Sequence, residues 1–223
     1  MIVVHHLNNS RSQRIVWLLE ELAVPYRIEQ HRRDSRTNLA PPQLKAVHPL
    51  GKAPVLEDGG LVVAESGAII EYLVERYGNG RLMPERGSAD HVRYLQWMHF
   101  AEGTLMLHLV ARMYLGRATE GPHPVRARVD TLVADELDYV ERELTRSDYL
   151  AGAQFTAADI QMIFPLEFAA FYDLVGERHP RTREYLARAQ ARPAYRRAIE
   201  KGGPYAFEPR SAGAAAPFPK PAR

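Results

Sequence analysis

The sequence predicts an α/β N-terminal domain over residues 1–79 joined to an all-α C-terminal domain over 89–207. Three observations carry that prediction. Strand and helix signals alternate from Ile2 to Gly78. The segment 80–88, with Gly80, Pro84 and Gly87, then breaks the pattern as a linker would. Beyond it, apolar residues recur only at helical spacing.

Each element has its own reason. Ile2 to Leu7 is short, apolar and β-branched, as in a buried strand. Ile15, Leu18, Leu19 and Leu22 form one apolar face of a helix. Val24 to His31 reads as a second strand, and a short helix is expected near Pro42 to Val47. Two apolar runs around Asp58-Gly59-Gly60 make a hairpin, because two consecutive glycines supply the turn. Ile69, Ile70, Leu73 and Tyr77 mark the next helix, stopped by Gly78 and Gly80. The order is β-α-β-α-β-β-α, with parallel pairing across the helices and an antiparallel hairpin. In the second domain, Val92 to Met113 is one long helical pattern, and Val125 to Leu144 another with Val129, Val133, Leu137 and Val140 on one face. Further helices start near Ala157, Thr182 and Pro193, and the tail 208–223 is Ala/Pro-rich without periodicity.

Composition excludes several functions. The chain carries 29 Lys and Arg against 27 Asp and Glu, and its densest basic cluster, His31 to Arg36, contains Asp34, so nucleic-acid binding is not expected. No run approaches the ~18 apolar residues of a membrane span, and no basic leader precedes an apolar stretch. The expected location is the cytoplasm, away from membranes. With no cysteine, the chain has no disulfide, thiolate metal site or cysteine nucleophile of its own. His5 and His6 are strand neighbours and point to opposite faces, so they do not chelate together and no metal is expected.

Three polar signals stand out. Asn8-Asn9-Ser10 separates the first strand from the first helix, either as a cap or as reactive-group chemistry at the positive end of the helix. Ala53-Pro54 enters the hairpin; the bond is trans or cis, and a cis bond would aim the amide and carbonyl of Val55 at a peptide-like ligand. Glu65-Ser66 precedes the third helix. Ser66 is a good cap there, and the same pair suits a ligand's carboxylate at the helix tip with its amine on Glu65. In the second domain, Thr156 and Asp159 of "QFTAADI" form a capping box, with Phe155 placed to staple onto Ile160.

"HPLGKAPVLEDGGLVVAESGAIIEYLVERYG", His48 to Gly78, resembles the second half of a thioredoxin-like glutathione-binding domain. "QFTAADI", with Asp148 to Gly152 before it, resembles the capping box of the helical domain of glutathione S-transferases. "SRSQRIVWLLEEL" is similar to the bacterial and fungal branch of that family, and the likeness spans about residues 1 to 205. The resemblance implies glutathione S-transferase architecture, glutathione as co-substrate, a homodimer, and a detoxifying attack on a small apolar electrophile. Pro54 would be cis and Val55 would pair with the cysteinyl part of glutathione. Glu65 and Ser66 would hold the γ-glutamyl end, and Lys52 with His48 the glycyl carboxylate. Asn8 to Ser12 would lie over the thiol. The electrophile would meet Trp97, Phe100, His108 and Tyr114, and Glu102 would reach a ligand amine in a partner subunit.

A thiol of ordinary pKa near ~8.5 is a few per cent ionised at neutral pH, and lowering it ~2 units takes ~2.7 kcal/mol of anion stabilisation. Ser10 offers a hydroxyl, Asn9 an amide and Arg11 a charge; Ser10 and Asn9 both remain candidates for the contact to sulfur. Without an enzyme cysteine, two other functions stay open. One is disulfide reduction or peroxide reduction using glutathione thiols alone; the other is a non-catalytic glutathione-binding regulatory module.

Overall fold

The first strand sets the plan of the N-terminal sheet. In the computed structural model, which describes residues 1–118 and 121–207, β1 (Ile2–Leu7) is buried along its whole length. It lies parallel to β2 (Tyr26–His31) and antiparallel to β3 (Val55–Asp58), and β4 (Leu61–Ala64) continues antiparallel to β3. The sheet order is β2-β1-β3-β4. The parallel pair needs a crossover, which α1 (Ser12–Leu22) supplies by burying Ile15, Val16, Leu18 and Leu19 completely. The hairpin turn uses Gly59 and Gly60 at φ +58° and +93°, the left-handed pair that a two-residue turn needs. A short α2 (Leu44–Val47) precedes β3, and α3 (Ser66–Tyr77) follows β4. Asp58 joins the hairpin to α3 by accepting from the hydroxyls of Tyr72, at 2.9 Å, and Tyr77.

Register fixes what gathers at one end of this sheet. His5 stands opposite Val55, and Val55 opposite Ala64. The exit of β1, the entry of β3 and the exit of β4 therefore share an end. That end carries the β1–α1 loop, Pro54 and Glu65.

The helical elements are α4 (Ala89–Phe100), α5 (Leu107–Ala118), α6 (Pro124–Leu144), α7 (Ala157–Phe171), α8 (Pro180–Gln190) and α9 (Pro193–Gly202). Between α4 and α5 the chain widens into a π-type segment, Ala101–Met106, which changes the side-chain phase of the long helix expected there. Tyr94, Trp97, Met98, Leu105 and Leu109 turn inward, whereas Val92 and Leu107 stay exposed. In α7 the capping box forms in both directions: Thr156 caps, and Asp159 accepts the Thr156 amide at 2.7 Å. Phe155 packs edge-on against Tyr149.

The division of the chain corrects the expected helical domain of 89–207 at its far end. One compact unit comprises Met1–Glu85 with Gln190–Tyr205, and the other Arg86–Ala189 with 206–207 among the described residues. The unit boundary falls inside the expected linker, 80–88, but α9 belongs to the first unit. Apolar packing and charge both hold it: α9 buries Ala194, Tyr195 and Ala198. Glu20 of α1 takes Arg197 Nε at 2.8 Å and Lys201 Nζ, and Glu21 takes Arg192 through both carboxylate oxygens at 2.6 and 2.9 Å. Trp17 packs edge-on to Tyr195 beside these pairs. The expected tail, 208–223, lies outside the described residues.

Candidate functional site

The β1–α1 loop is held from several sides. Arg33 donates its backbone amide to Asn8 Oδ1 at 3.0 Å, its Nε to the Asn8 carbonyl at 3.1 Å and a terminal nitrogen to the Asn9 carbonyl at 3.4 Å. Asn9 itself sits at φ +53°, a left-handed turn that asparagine tolerates better than most residues. The expected serine cap takes a different form. The N-cap position is Arg11, with no side-chain cap bond, and Ser10 reaches past it to accept the Ser12 amide at 3.2 Å.

Below the loop lies a buried polar seam. Ser10 Oγ and Ser12 Oγ are 2.8 Å apart, and Ser12 Oγ is 2.9 Å from His6 Nδ1. Ser12 Oγ also accepts the Leu7 amide and faces the Leu7 carbonyl, each at 3.1 Å. Burial pushes the His6 imidazole down to about 4, against the opposing pull of the Gly202 carbonyl that hydrogen-bonds it. His6 is neutral at physiological pH. His5 points to the other face of the sheet, where its Nδ1 lies 3.1 Å from His31 Nε2 and its Nε2 2.9 Å from Glu57.

At the same end of the sheet, the Ala53–Pro54 bond is cis, and Pro54 and Val55 are buried. Glu65 is exposed at φ +71°, strained for a residue with a side chain. This corrects the expected cap: Glu65 occupies the N-cap position, α3 begins at Ser66 itself, and the Ser66 hydroxyl accepts from Arg14 at 3.1 Å instead of capping. The first turn of α3 closes with the Ile69 amide on the Glu65 carbonyl at 2.9 Å, so the amides of Ser66, Gly67 and Ala68 precede the helix's own ladder. Lys52 is exposed and His48 half-buried in the stretch leading to Pro54, and the His48 Nδ1 accepts the Leu50 amide at 3.4 Å. Arg11 is half-buried at the start of α1.

This end of the sheet thus brings together a hydroxyl, a turn amide, a cis-proline strand entry, an outward carboxylate and a helix N-terminus. The sequence singles out Asn9, Ser10, Pro54 and Glu65-Ser66, names Ser12 only as the end of the loop segment and His6 only as a strand neighbour of His5, and does not single out Arg14 or Arg33. The available signal was Ser12-Gln13-Arg14, three consecutive polar residues that are all buried at the head of an apolar helix.

The comparisons with known proteins identify the two domains. Residues 1–75 match the glutathione S-transferase N-terminal domain, and residues 103–193 the C-terminal domain. The chain is 40% identical to glutathione S-transferase 3 of Schizosaccharomyces pombe, over 90% of this chain and 88% of that protein. The chain belongs to the glutathione S-transferase family. Among solved structures, a glutathione S-transferase of Actinobacillus pleuropneumoniae superposes with a TM-score of 0.84 at 33% identity, over 91% of this chain and 93% of that one. A family member from Pseudomonas fluorescens, solved with two glutathione bound, gives 0.75 at 26%, over 89% and 92%. The α/β thioredoxin-like domain and the all-α domain of this transferase are those of its family.

The four aromatic and histidine positions of the helical unit differ in exposure and in partners. Trp97 is 1% exposed and stacks on Tyr139 at 5.3 Å, with Phe100 edge-on. His108 pairs with Glu136 of α6 at 2.5 Å, and Tyr114 is 61% exposed. Glu102 lies half-buried in the π-type segment. Among the described residues no group of three or more His, Asp or Glu could hold a metal ion, and no helix is long and apolar enough to cross a membrane.

Proposed function

We propose that this transferase binds glutathione along the shared end of β1, β3 and β4, ionises its thiol at the β1–α1 corner and directs it at an apolar electrophile. The observation that carries the reading is the register of His5, Val55 and Ala64, which gives one ligand access to the loop, the strand entry and the helix tip together. In this reading the backbone of Val55 beside Pro54 pairs with the cysteinyl unit in strand fashion. Glu65 accepts the γ-glutamyl amine, and the first amides of α3 with Ser66 take its carboxylate. Lys52 and His48 neutralise the glycyl end.

The thiol then lies over Asn9 and Ser10. A hydroxyl or amide donor and the positive end of α1 supply the ~2.7 kcal/mol that two pKa units require. Ser10 is the first choice and Asn9 the second; Arg11 adds charge at the rim. Phe100, His108 and Tyr114 keep accessible surface that an apolar electrophile could use, and Trp97 backs Phe100 from the core. A homodimer in the cytoplasm, acting in detoxification and without a metal, belongs to the same reading.

Isothermal calorimetry with reduced glutathione tests it. Saturable binding that weakens at least tenfold in Glu65→Ala is expected; no measurable affinity overturns the reading. A second reading is glutathione-dependent disulfide reduction, favoured by the cysteine-free sequence and by the Pseudomonas relative with two glutathione bound. One thiolate attacks the disulfide and a second resolves the mixed disulfide, releasing two substrate thiols and oxidised glutathione. Turnover of a haloarene, a small disulfide and a hydroperoxide, measured side by side, separates the two.

A further inference from the structure

The Ser10 hydroxyl has one proton, and the seam beneath it decides where that proton points. Two groups hold Ser10 Oγ: the Ser12 amide, which donates to it at 3.2 Å, and Ser12 Oγ at 2.8 Å. The direction of the second bond follows from Ser12's own proton. Ser12 Oγ already accepts the Leu7 amide at 3.1 Å, and two inward acceptors stand beside it: His6 Nδ1 at 2.9 Å and the Leu7 carbonyl at 3.1 Å.

The surroundings of the other ring nitrogen favour His6 Nδ1 as an acceptor. The Nε2 edge abuts Gly202, where an added Cβ would lie 3.3 Å from Nε2, and the Gly202 carbonyl hydrogen-bonds the ring. Gln30 Nε2 fixes that same carbonyl at 2.8 Å. With Nε2 against Gly202, the hydrogen of a neutral His6 is assigned to Nε2 and Nδ1 is left as an acceptor; in the other tautomer the Leu7 carbonyl still stands as the acceptor for Ser12. Whichever inward acceptor takes Ser12's proton, Ser12 turns a lone pair toward Ser10. The hydroxyls then donate in one direction, from Ser10 to Ser12 to His6 or Leu7, and from His6 to the last turn of α9.

We propose that Ser12 is a positioning residue that holds the Ser10 proton away from the thiol, so that a thiolate must reverse the Ser10 hydroxyl in order to be stabilised by it. The inference rests on the transferase reading above and on Ser10 as the group facing sulfur. Reversal breaks the donation from Ser10 to Ser12, and Ser12 restores a bond only by turning its own proton outward, away from the Leu7 carbonyl and His6 Nδ1. Position and proton direction are thereby separated: the Ser12 amide places the Ser10 oxygen, and the Ser12 hydroxyl aims its proton.

The test titrates the ultraviolet absorbance of the bound thiolate against pH, with glutathione affinity measured by calorimetry. Ser12→Ala removes the inward acceptor and keeps the amide. Its expected result is a thiol pKa lower by roughly half to one unit, about three- to tenfold more thiolate below the pKa, the net worth of one hydrogen bond, with affinity unchanged at a pH where the bound thiol is protonated and raised by the same factor above its pKa. Ser12→Cys, close in size and a much weaker acceptor, serves if the alanine chain does not fold, with a smaller shift in the same direction expected. Ser10→Ala is expected to raise the thiol pKa, and adding Ser12→Ala to it to change nothing further. A thiol pKa that stays or rises in Ser12→Ala, while Ser10→Ala raises it, overturns the proposal; loosening of the loop alone gives that result. If Ser10→Ala leaves the thiol pKa unchanged, the choice of Ser10 in the transferase reading falls and this inference with it. Absence of glutathione binding by the unaltered chain overturns the reading itself.

Discussion

Glu20 and Asp159 are both buried carboxylates that tie separate pieces of chain together, and they do so by opposite physics. Glu20, in the first unit, is 8% exposed and receives Arg197 at 2.8 Å, the Tyr26 hydroxyl at 2.7 Å and Lys201. Asp159, in the second, is fully buried and receives only neutral donors: the amides of Thr156 and Leu150 at 2.7 and 3.1 Å, and the hydroxyls of Tyr185 and Thr156 at 2.8 and 3.1 Å. Burial pushes both carboxyls upward. At Glu20 that push is outweighed by Lys201, Arg197 and Tyr26, and the net shift is down. At Asp159 the four hydrogen bonds do not offset burial, and the net shift is up. Dipoles satisfy a buried carboxylate's geometry; opposite charge is what repays its ionisation.

The largest effect belongs to the site with the more deeply buried donors. Asp159→Ala strands the amides of Leu150 and Thr156 and the Tyr185 hydroxyl without their acceptor, at an expected cost of about 3–4 kcal/mol. The denaturant midpoint measures it. Asp159→Asn keeps one acceptor and removes a charge that burial disfavours, so about half that loss is expected. An asparagine chain less stable than the alanine chain would mean that the charge itself holds the box, and the contrast with Glu20 would fail.

The same contrast explains what was legible in the sequence. The Thr156–Asp159 box lies within one helical turn, and "QFTAADI" displays it directly. The Glu20 clamp joins residues 177 and 181 positions apart, and nothing local in α1 announces it. Assigning α9 to the helical domain was the consequence. Most strands and helices of the first unit were readable from periodicity, and Pro54 from turn chemistry, whereas the cap expected at Ser66 is one residue off because α3 begins at Ser66 itself. The convergence of these positions was not readable, because it depends on the pairing of His5, Val55 and Ala64. The Arg14–Ser66 bond, 52 positions apart, was hidden for the same reason. Val92 misled in another way: it sits at helical spacing, but α4 turns Tyr94, Trp97 and Met98 inward instead.

His6 extends the comparison to a buried base with only neutral partners. Its folded value is about 4 against an ordinary 6.5, so the unfolded chain takes up a proton first as pH falls. The stability it contributes is complete above about pH 6.5 and is lost on the way down to 4, amounting to about 3 kcal/mol. Unfolding midpoints across that range should fall with acid, and His6→Asn, which does not titrate, should flatten the curve. An equally steep fall in His6→Asn would assign the acid sensitivity to other groups.

The smallest effect is expected at the charged clamp. Arg197 and Lys201 are about half exposed, with 48% and 51% of their side-chain surface open, so both rehydrate when Glu20 loses its charge. Glu20→Gln should therefore cost only about 1–2 kcal/mol after allowance for solvent screening. Its distinguishing mark is its response to conditions. A lowered carboxyl keeps its contribution above the ordinary carboxylate range, near pH 4, and loses it as pH falls through the lower folded value. Added salt should weaken the docking of α9 in the unaltered chain and leave Glu20→Gln indifferent, whereas the Asp159 box should ignore salt in every variant. Hydrogen exchange at the amides of α9 and of the first turn of α7 reads both arms in one experiment. Salt-insensitive exchange in α9 would mean that Trp17 against Tyr195, rather than charge, carries the contact, and the distinction between the two carboxylates would then be one of pKa alone.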